Sequence, residues 1–484
     1  MTAAAPAAGL RSRVLGGLAW KAASQIVGNL SRLGVAVVLA HLLTPREFGL
    51  AAMTLVFSGF VLVFSDLALG AALVQRKTLS DADRSTAFWT SVGVGSFFTV
   101  IGIALAGPIA SFYGEPSLRW LVVALSFSFI VTSLAATQEA LLVRQMSFRS
   151  LELRMMASAF AGGAAGIAAA LAGWGAWAII IQQVATACAS TAMLWTVSPW
   201  RPSLLFSRSS LRSLGSFSLN VFGQRVLYYL HRNIAPLLIG RFVGAAALGT
   251  YAFAYNVILV PFSRIAGPVQ EVLFPAFSRV QDDPPRMTQM WVRATRVTGA
   301  VSVPALIGLA IVAPDFVRVV LGERWSAAAP VIQILTWVGL LQSLQTLNSN
   351  ILMALDRTAT LLRYSFVFLG AHLVAFVVGV HWGILGVATC YAISSTVVEP
   401  LYMWLTTRSL AASPFVLVRG LAGIAQAAAV MGLCVLATRL ALVHAGVPAS
   451  ARLVLCIAVG ALVYLPCAHW RSPEIAGELR RRPA

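Results

Sequence analysis

The sequence predicts an all-α integral membrane protein with about fourteen transmembrane helices. Of its 484 residues, 59% are hydrophobic and only 11% are charged, whereas roughly 25% of residues are charged in a soluble domain. Stretches of about 20 mostly apolar residues recur along nearly the whole chain, and each is long enough to cross a bilayer as a helix. Runs such as Ile179-Ile180-Ile181 do not alternate polar and apolar residues, which argues against a β-barrel.

The apolar stretches define fourteen predicted spans with a regular grouping. We place them at residues 17–40, 48–73, 87–112, 118–141, 154–173, 175–197, 214–239, 247–272, 294–317, 328–354, 362–381, 383–407, 417–440 and 451–469. The first six spans form a predicted N-terminal lobe (1–197), and the next six form a C-terminal lobe (214–407). A polar connector (198–213) joins the lobes, and an extra helix pair with a basic tail (408–484) follows them.

An internal repeat supports this grouping. Matching positions recur at offsets of 200 and 208 residues: Arg32 with Arg232, Gly49 with Gly249, Gly114-Glu115 with Gly322-Glu323, and Gly173-Trp174-Gly175 with His381-Trp382-Gly383. Internal duplication with polar groups at membrane depth is typical of a transporter core.

The distribution of basic residues predicts the orientation. With a cytoplasmic amino terminus, the predicted inside segments hold 23 Lys and Arg residues and the outside segments hold 7. This positive-inside bias places both termini in the cytoplasm. The net charge of +19 is spread over many short loops rather than gathered in one domain, so nucleic acid is not an expected partner.

Basic residues also occur inside the spans, where they are costly. Lys21, Gln25 and Arg32 share one face of the first span, Arg225, Tyr229 and Arg232 share one face of the seventh, and Arg264 lies in the eighth. A mid-span arginine costs about 2.5–3.5 kcal/mol even on the lenient insertion scale, so we expect these faces to line a water-filled cavity. The alternative, for Lys21 and Arg264 above all, is that the side chain reaches the membrane surface.

A cationic cavity favours an anionic ligand, and guanidinium groups match phosphate oxygens in a bidentate fork. Amide and aromatic side chains nearby suit a sugar. The glycan-contacting candidates are Gln25, Asn29, Tyr229, Tyr251, Tyr255, Gln342, Gln345 and Asn348. For any one of them, hydrogen bonding between helices is the structural alternative.

Four acidic residues lie at membrane depth: Asp66, Glu139, Glu271 and Glu399. Each could be the counter-ion of a nearby arginine or carry a coupling proton, and we favour ion pairing. The five cysteines lack metal-ligand spacing, and no nucleotide-binding loop or catalytic constellation is present. We therefore expect no enzyme, metal site or cofactor, and transport driven by an ion gradient or a downstream process.

Three segments resemble a known family. His41-Leu42-Leu43-Thr44-Pro45-Arg46-Glu47-Phe48-Gly49 is similar to the turn after the first helix of polysaccharide transporters, with His41 where arginine is more usual. The segments Leu142 to Arg149 and Val272 to Asp283 resemble those after the fourth and eighth helices. The family is the lipid-linked oligosaccharide flippase branch of the multidrug/oligosaccharidyl-lipid/polysaccharide exporter superfamily, closest to colanic-acid and lipopolysaccharide export, and the resemblance covers about residues 10–410.

This resemblance implies two six-helix lobes and the flipping of undecaprenyl-diphosphate-linked oligosaccharide across the bacterial inner membrane. The expected partners are the lipid bilayer, the polyprenyl-diphosphate-linked oligosaccharide, a polysaccharide polymerase and a chain-length regulator. Two alternatives remain. A drug/cation antiporter of the same fold needs acidic residues in its cavity, and a membrane scaffold subunit needs no charged groups facing an internal void.

Overall fold

The computed structural model describes most of the chain. The described residues are 34–65, 78–208 and 218–471, with residues 28, 31, 70, 73, 74 and 76 besides. Within the helices, only the backbone is described for residues 60–65, 148, 218–228, 231, 260–269 and 271–272.

The described regions are helical throughout, which confirms the predicted all-α class. A helical stretch at residues 34–42 precedes fourteen α-helices. These are α1 (Pro45–Ser65), α2 (Asp81–Tyr113), α3 (Leu118–Arg144), α4 (Phe148–Leu171), α5 (Trp177–Val197), α6 (Ser218–Phe242), α7 (Ala245–Arg279), α8 (Pro284–Val320), α9 (Ala328–Gln345), α10 (Asn348–Ala354), α11 (Thr358–Gly379), α12 (Gly383–Ser409), α13 (Val416–His444) and α14 (Ala449–Arg471). Short 3₁₀ turns lie at Glu323–Trp325 and Val380–Trp382.

The protein is a multi-pass integral membrane protein. Eight helical segments in the described regions are long and apolar enough to cross a bilayer, one of them continuous over α11 and α12. Large apolar side chains such as Val397, Leu433 and Leu462 are exposed on the helix surfaces. In a bilayer this exposure carries no penalty, because lipid tails are as apolar as the side chains.

One predicted span, 328–354, is broken in two by a turn at Thr346 and Leu347, between α9 and α10. The break is tolerated because a side chain satisfies the backbone group that it frees. Gln270 Nε2 donates to the Thr346 carbonyl over 2.5 Å, and Asn350 Nδ2 donates to the Gln270 carbonyl over 3.0 Å.

The chain forms two compact units, Met1–Gly249 and Thr250–Ala484. The first contains the α2–α3 and α4–α5 hairpins, with α6 packed against α1. The second contains the α8–α9, α11–α12 and α13–α14 pairs. The units divide after Gly249, because α6 packs on α1. The lobes predicted at 1–197 and 214–407 divide at the connector instead, and they stay a prediction.

Repeated sequence positions adopt the same backbone conformation. Gly114 and Gly322 both follow a long helix with positive φ angles of 70° and 93°. Gly175 lies just before α5 and Gly383 is the first residue of α12, with φ angles of 55° and 67°. This left-handed conformation is accessible to glycine at little cost, so the repeated glycines mark equivalent turns.

One close helix approach in the first unit, between α1 and the start of α7, is reciprocal. A Cβ atom on Gly49 would lie 1.7 Å from the Ala245 carbonyl oxygen, and one on Gly249 would lie 1.9 Å from the Pro45 carbonyl oxygen. Gly249 lies 200 positions after Gly49, and Ala245 lies 200 positions after Pro45, so each contact is the other with its two segments interchanged. Reciprocal contacts of this kind are what a two-fold relation produces, and they support the proposed duplication.

Candidate functional site

The structure describes only part of the predicted cationic face. Lys21, Gln25, Asn29, Arg32 and Asp66 lie outside the described residues.

Three further candidates are described through their backbone alone. Arg225 lies in α6, and Arg264 and Glu271 lie in α7, in each case without a described side chain. The roles predicted for these residues stay predictions.

Two candidates on α6 are described in full, and they face different surroundings. The Tyr229 hydroxyl donates to the Val56 carbonyl of α1 and packs against Gly59. Arg232, three residues further along, is exposed. Tyr229 therefore anchors α6 to α1, while the Arg232 guanidinium is accessible from outside the helix packing.

The second unit gathers several glycan-contacting candidates into one polar cluster, built by α7, α9 and α12. The rings of Tyr251 and Tyr255 stack with centroids 6.2 Å apart and planes within 7°. Gln342 Nε2 donates to the Tyr391 hydroxyl over 2.8 Å, and the side chains of Tyr255 and Tyr391 share a hydrogen bond. Residues predicted separately from two spans thus lie side by side, joined by Tyr391 of α12.

Burial separates this cluster into a core and an accessible edge. Tyr251 is only 2% exposed and Tyr391 is also buried, whereas Tyr255 and Gln342 are half-buried. Tyr255 and Gln342 are therefore the members that a ligand can reach, and Tyr251 and Tyr391 hold them in place.

A second layer of the same polar cluster lies around the break between α9 and α10. Gln345 Nε2 donates to the Glu399 carbonyl over 3.2 Å, and Asn348 Nδ2 donates to Gln345 Oε1. The Tyr402 hydroxyl shares a hydrogen bond with Ser349. Gln345 and Asn348 are buried. In this conformation they form hydrogen bonds between helices, which is the structural alternative to glycan contact.

The described acidic candidates have different partners. Glu139 accepts two hydrogen bonds from the Arg154 guanidinium, over 2.9 and 3.0 Å. Glu399 is 3% exposed and makes no ion pair with any residue whose side chain is described. Ion pairing, favoured from the sequence for both residues, is thus seen for Glu139.

Sequence reasoning missed Tyr391 and Ser395 of the polar cluster and the neighbouring His372 of α11, whose ring centroid lies 4.9 Å from that of Tyr391. His372 Nε2 lies 3.3 Å from Ser395 Oγ, and both residues are buried. Tyr391, Ser395 and Glu399 are spaced four residues apart on α12, which places them on one helix face. That spacing is a signal that the sequence already contained.

Comparison with known proteins decides the family. The family described as "Polysaccharide biosynthesis protein" matches residues 38–330, well over half of the chain. The chain belongs to the polysaccharide biosynthesis protein family. The predicted resemblance to a family of polysaccharide proteins is therefore confirmed.

Curated relatives match this chain along much of their length. The teichuronic acid biosynthesis protein TuaB of Bacillus subtilis (strain 168) is 27% identical over 477 residues, which cover 98% of this chain and 99% of TuaB. The lipopolysaccharide biosynthesis protein WzxC of Escherichia coli (strain K12) is 29% identical over 350 residues, which cover 72% of this chain and 71% of WzxC. The succinoglycan biosynthesis transport protein ExoT of Rhizobium meliloti (strain 1021) is 27% identical over 62% of this chain and 60% of ExoT.

Solved structures identify the fold. The lipid II flippase MurJ in an inward closed conformation superposes with a TM-score of 0.76 at 15% identity, over 94% of this chain and 99% of MurJ. An inward-facing multidrug resistance transporter of the MATE family and MOP superfamily superposes with a TM-score of 0.62 at 12% identity, over 80% and 94% of the two chains. The family member thus has a MurJ- and MATE-like fold.

Proposed function

We propose that this protein is a flippase that moves undecaprenyl-diphosphate-linked oligosaccharide repeat units from the inner to the outer leaflet of the bacterial inner membrane. The observation that carries the proposal is the match to TuaB along nearly the whole of both chains. The names of TuaB, WzxC and ExoT refer to teichuronic acid, lipopolysaccharide and succinoglycan, and that of ExoT also refers to transport. A lipid-linked intermediate is the form in which such glycans would need a membrane transporter.

The mechanism we propose is alternating access around a cationic site. Arg32, Arg225 and Arg232, with Lys21 and Arg264 as further candidates, would neutralise the diphosphate, because guanidinium groups bind phosphate oxygens through paired, charge-assisted hydrogen bonds. The exposed position of Arg232 on α6 supports this role.

The glycan would pass the accessible edge of the polar cluster. Tyr255 offers an aromatic face and Gln342 an amide, and both are half-buried beside fixed neighbours. Their partners Tyr251 and Tyr391 restrict their motion, which lowers the entropic cost of binding a flexible sugar. The polyprenyl tail would stay in the lipid.

The proposed topology places both termini and the 198–213 connector in the cytoplasm, as the positive-inside bias predicts. The lipid-linked repeat unit would then be loaded where cytoplasmic enzymes complete it. A polymerase and a chain-length regulator would act after release on the opposite face.

Export of the polysaccharide in a strain that depends on this chain tests the cationic site. We expect Arg225→Ala and Arg232→Ala to abolish export while the protein remains in the membrane, because each removes a ligand contact rather than a core contact. Arg→Lys should restore part of the export if charge dominates, and little if the bidentate geometry matters.

Arg241→Ala provides the matched control, because Arg241 is an exposed arginine on the same helix that lies over the Phe112 and Phe242 rings. The strain that carries this variant should export the polysaccharide normally. Normal export from a well-expressed Arg225→Ala, Arg232→Ala double variant would refute the site. Poor insertion of the Ala variants would instead assign these arginines a structural role.

A further inference from the structure

A cavity of about 480 Å³ lies in the first unit, where α2 begins, α3 ends and the connector leaves α5. We call it the connector cavity. Its lining includes the cationic residues Arg84 and Arg144, the polar residue Gln145, the aromatic residue Trp200 and the apolar residues Leu79 and Leu141. No acidic side chain is among the described lining residues, so the cavity presents positive charge to anything that enters it.

Arg144 is held at this cavity by neutral backbone groups. Its Nη1 donates to the Leu73 carbonyl over 3.0 Å, to the Val74 carbonyl over 3.3 Å and to the Arg76 carbonyl. These contacts hold the position of the guanidinium. A cation that is already held in place loses less side-chain entropy when it binds an anion.

Arg84 has an unmet hydrogen-bonding group. Its Nη1 donates to Asp81 over 3.2 Å, but Asp81 is 75% exposed, and such a solvent-screened pair contributes little. Its Nε is buried, and within the described residues no acceptor lies within hydrogen-bonding distance. The Arg84 side chain as a whole is nevertheless 34% exposed, so it can contact an anion that enters the cavity.

The connector beside the cavity has the composition of a membrane interface. Leu204 is 90% exposed, and Leu205 and Phe206 next to it are also exposed. Tryptophan and basic residues next to exposed apolar side chains are characteristic of the boundary between lipid headgroups and acyl chains.

This connector is tied down rather than loose. Ser85 and Ser203 share a hydrogen bond of 2.8 Å, Trp89 Nε1 donates to the Ser203 carbonyl over 2.8 Å, and the Ser207 amide donates to Thr86 Oγ1 over 2.9 Å. The apolar triplet is thus held at a fixed place beside a cationic cavity.

We propose that the connector cavity binds a phosphate group at the face predicted to be cytoplasmic, with the headgroup of an anionic phospholipid and free phosphate as its two sources. Arg84 and Arg144 bind the phosphate oxygens, and Leu205 and Phe206 lie where acyl chains would follow. None of the arginines proposed for the transport site is among the described lining residues of this cavity, so the proposal does not depend on the proposed substrate.

Native mass spectrometry of the purified full-length chain tests the proposal with dioctanoyl phosphatidylglycerol and, in a separate arm, inorganic phosphate. Dioctanoylglycerol, which lacks phosphate, serves as the control lipid. We expect phosphatidylglycerol to bind and Arg84→Gln to weaken it by about tenfold, because one charge-assisted contact is lost. Arg119→Gln is the matched control, since it removes one exposed positive charge near the start of α3, at the far end of that helix from the cavity.

A second variant covers the case in which Arg84→Gln fails to fold. Gln145→Trp fills the cavity without changing its charge, and Gln145 is exposed at the end of α3, so it should weaken phosphatidylglycerol binding as well. Competition by inorganic phosphate would identify a free-phosphate site, and binding of phosphatidylglycerol without such competition would identify a lipid site. Equal binding of dioctanoylglycerol, or equal losses in Arg84→Gln and Arg119→Gln, would overturn the proposal.

Discussion

At the scale of single residues, Asp315 shows how a charge is accommodated in the second unit. Its side chain is 3% exposed near the end of α8 and accepts hydrogen bonds from Arg439 of α13 over 2.7 Å and from Arg452 of α14 over 2.5 Å. The carboxylate therefore ties the C-terminal helix pair to α8. Only the folded chain shows this pairing, because the arginines follow Asp315 by 124 and 137 residues.

Replacing this carboxylate should be costly. We expect Asp315→Asn to lower the free energy of unfolding by about 3–5 kcal/mol, because it leaves two partly buried guanidinium groups without their counter-ion. Thermal unfolding of the purified protein measures the effect. Glu323→Gln is the control, since the pair between Glu323 and Arg318 is exposed and should contribute about 0–1 kcal/mol. Equal losses of stability in the two variants would contradict the anchoring role of Asp315.

Contacts between residues far apart in the sequence also decide which site residues could be predicted. Tyr251, Tyr255 and Gln342 were identified from polar positions within apolar spans, and they do lie together. Whether each is buried or accessible depends on neighbours such as Tyr391, which is more than 130 residues from Tyr255 along the chain. Periodicity identifies the polar face of a helix, but not the helix that covers it.

At the scale of helices, apolar length predicted thirteen of the fourteen spans at the positions of described helices, with ends that differ by up to ten residues and with a break in 328–354. Only the end of the first predicted span, 17–40, lies within the described residues. The break depends on Gln270, whose side chain reaches the Thr346 carbonyl from 76 residues away. A hydropathy pattern depends only on residues that are near in the sequence, so it cannot include this contact and predicts one continuous helix.

The reciprocal contact between α1 and α7 gives a prediction at this scale. We expect Gly49→Ala to destabilise the protein by about 1–3 kcal/mol, because overpacking forces the backbones apart. Gly249→Ala should cost a similar amount, since its Cβ atom would meet Pro45 in the equivalent way.

Gly93→Ala in α2 is the control for these variants. A Cβ atom there would have nothing within 4 Å, and the change should be neutral or stabilise the helix by about 0.5–1 kcal/mol. Thermal unfolding of the three variants provides the comparison. If Gly49→Ala were as stable as Gly93→Ala, the close contact between Gly49 and the Ala245 carbonyl would be contradicted.

At the scale of the whole molecule, the charge bias predicts the direction in which the chain crosses the membrane. We expect Arg208→Cys to resist a membrane-impermeant thiol reagent added from the periplasmic side, and Ser117→Cys to react with it. Both positions are exposed, so the result depends on sidedness rather than on burial. Each variant needs the five native cysteines replaced. The reverse labelling pattern would overturn the orientation.

The central claim is that this family member flips a lipid-linked glycan, and transfer across a bilayer tests it most directly. Purified protein is reconstituted with undecaprenyl-diphosphate-linked oligosaccharide confined at first to the inner leaflet of proteoliposomes, and the glycan reaching the outer leaflet is measured with an added glycosidase. We predict protein-dependent transfer that the Arg225→Ala, Arg232→Ala variant loses and the Arg241→Ala variant retains. Folded wild-type protein that gave no more transfer than protein-free liposomes would contradict the claim.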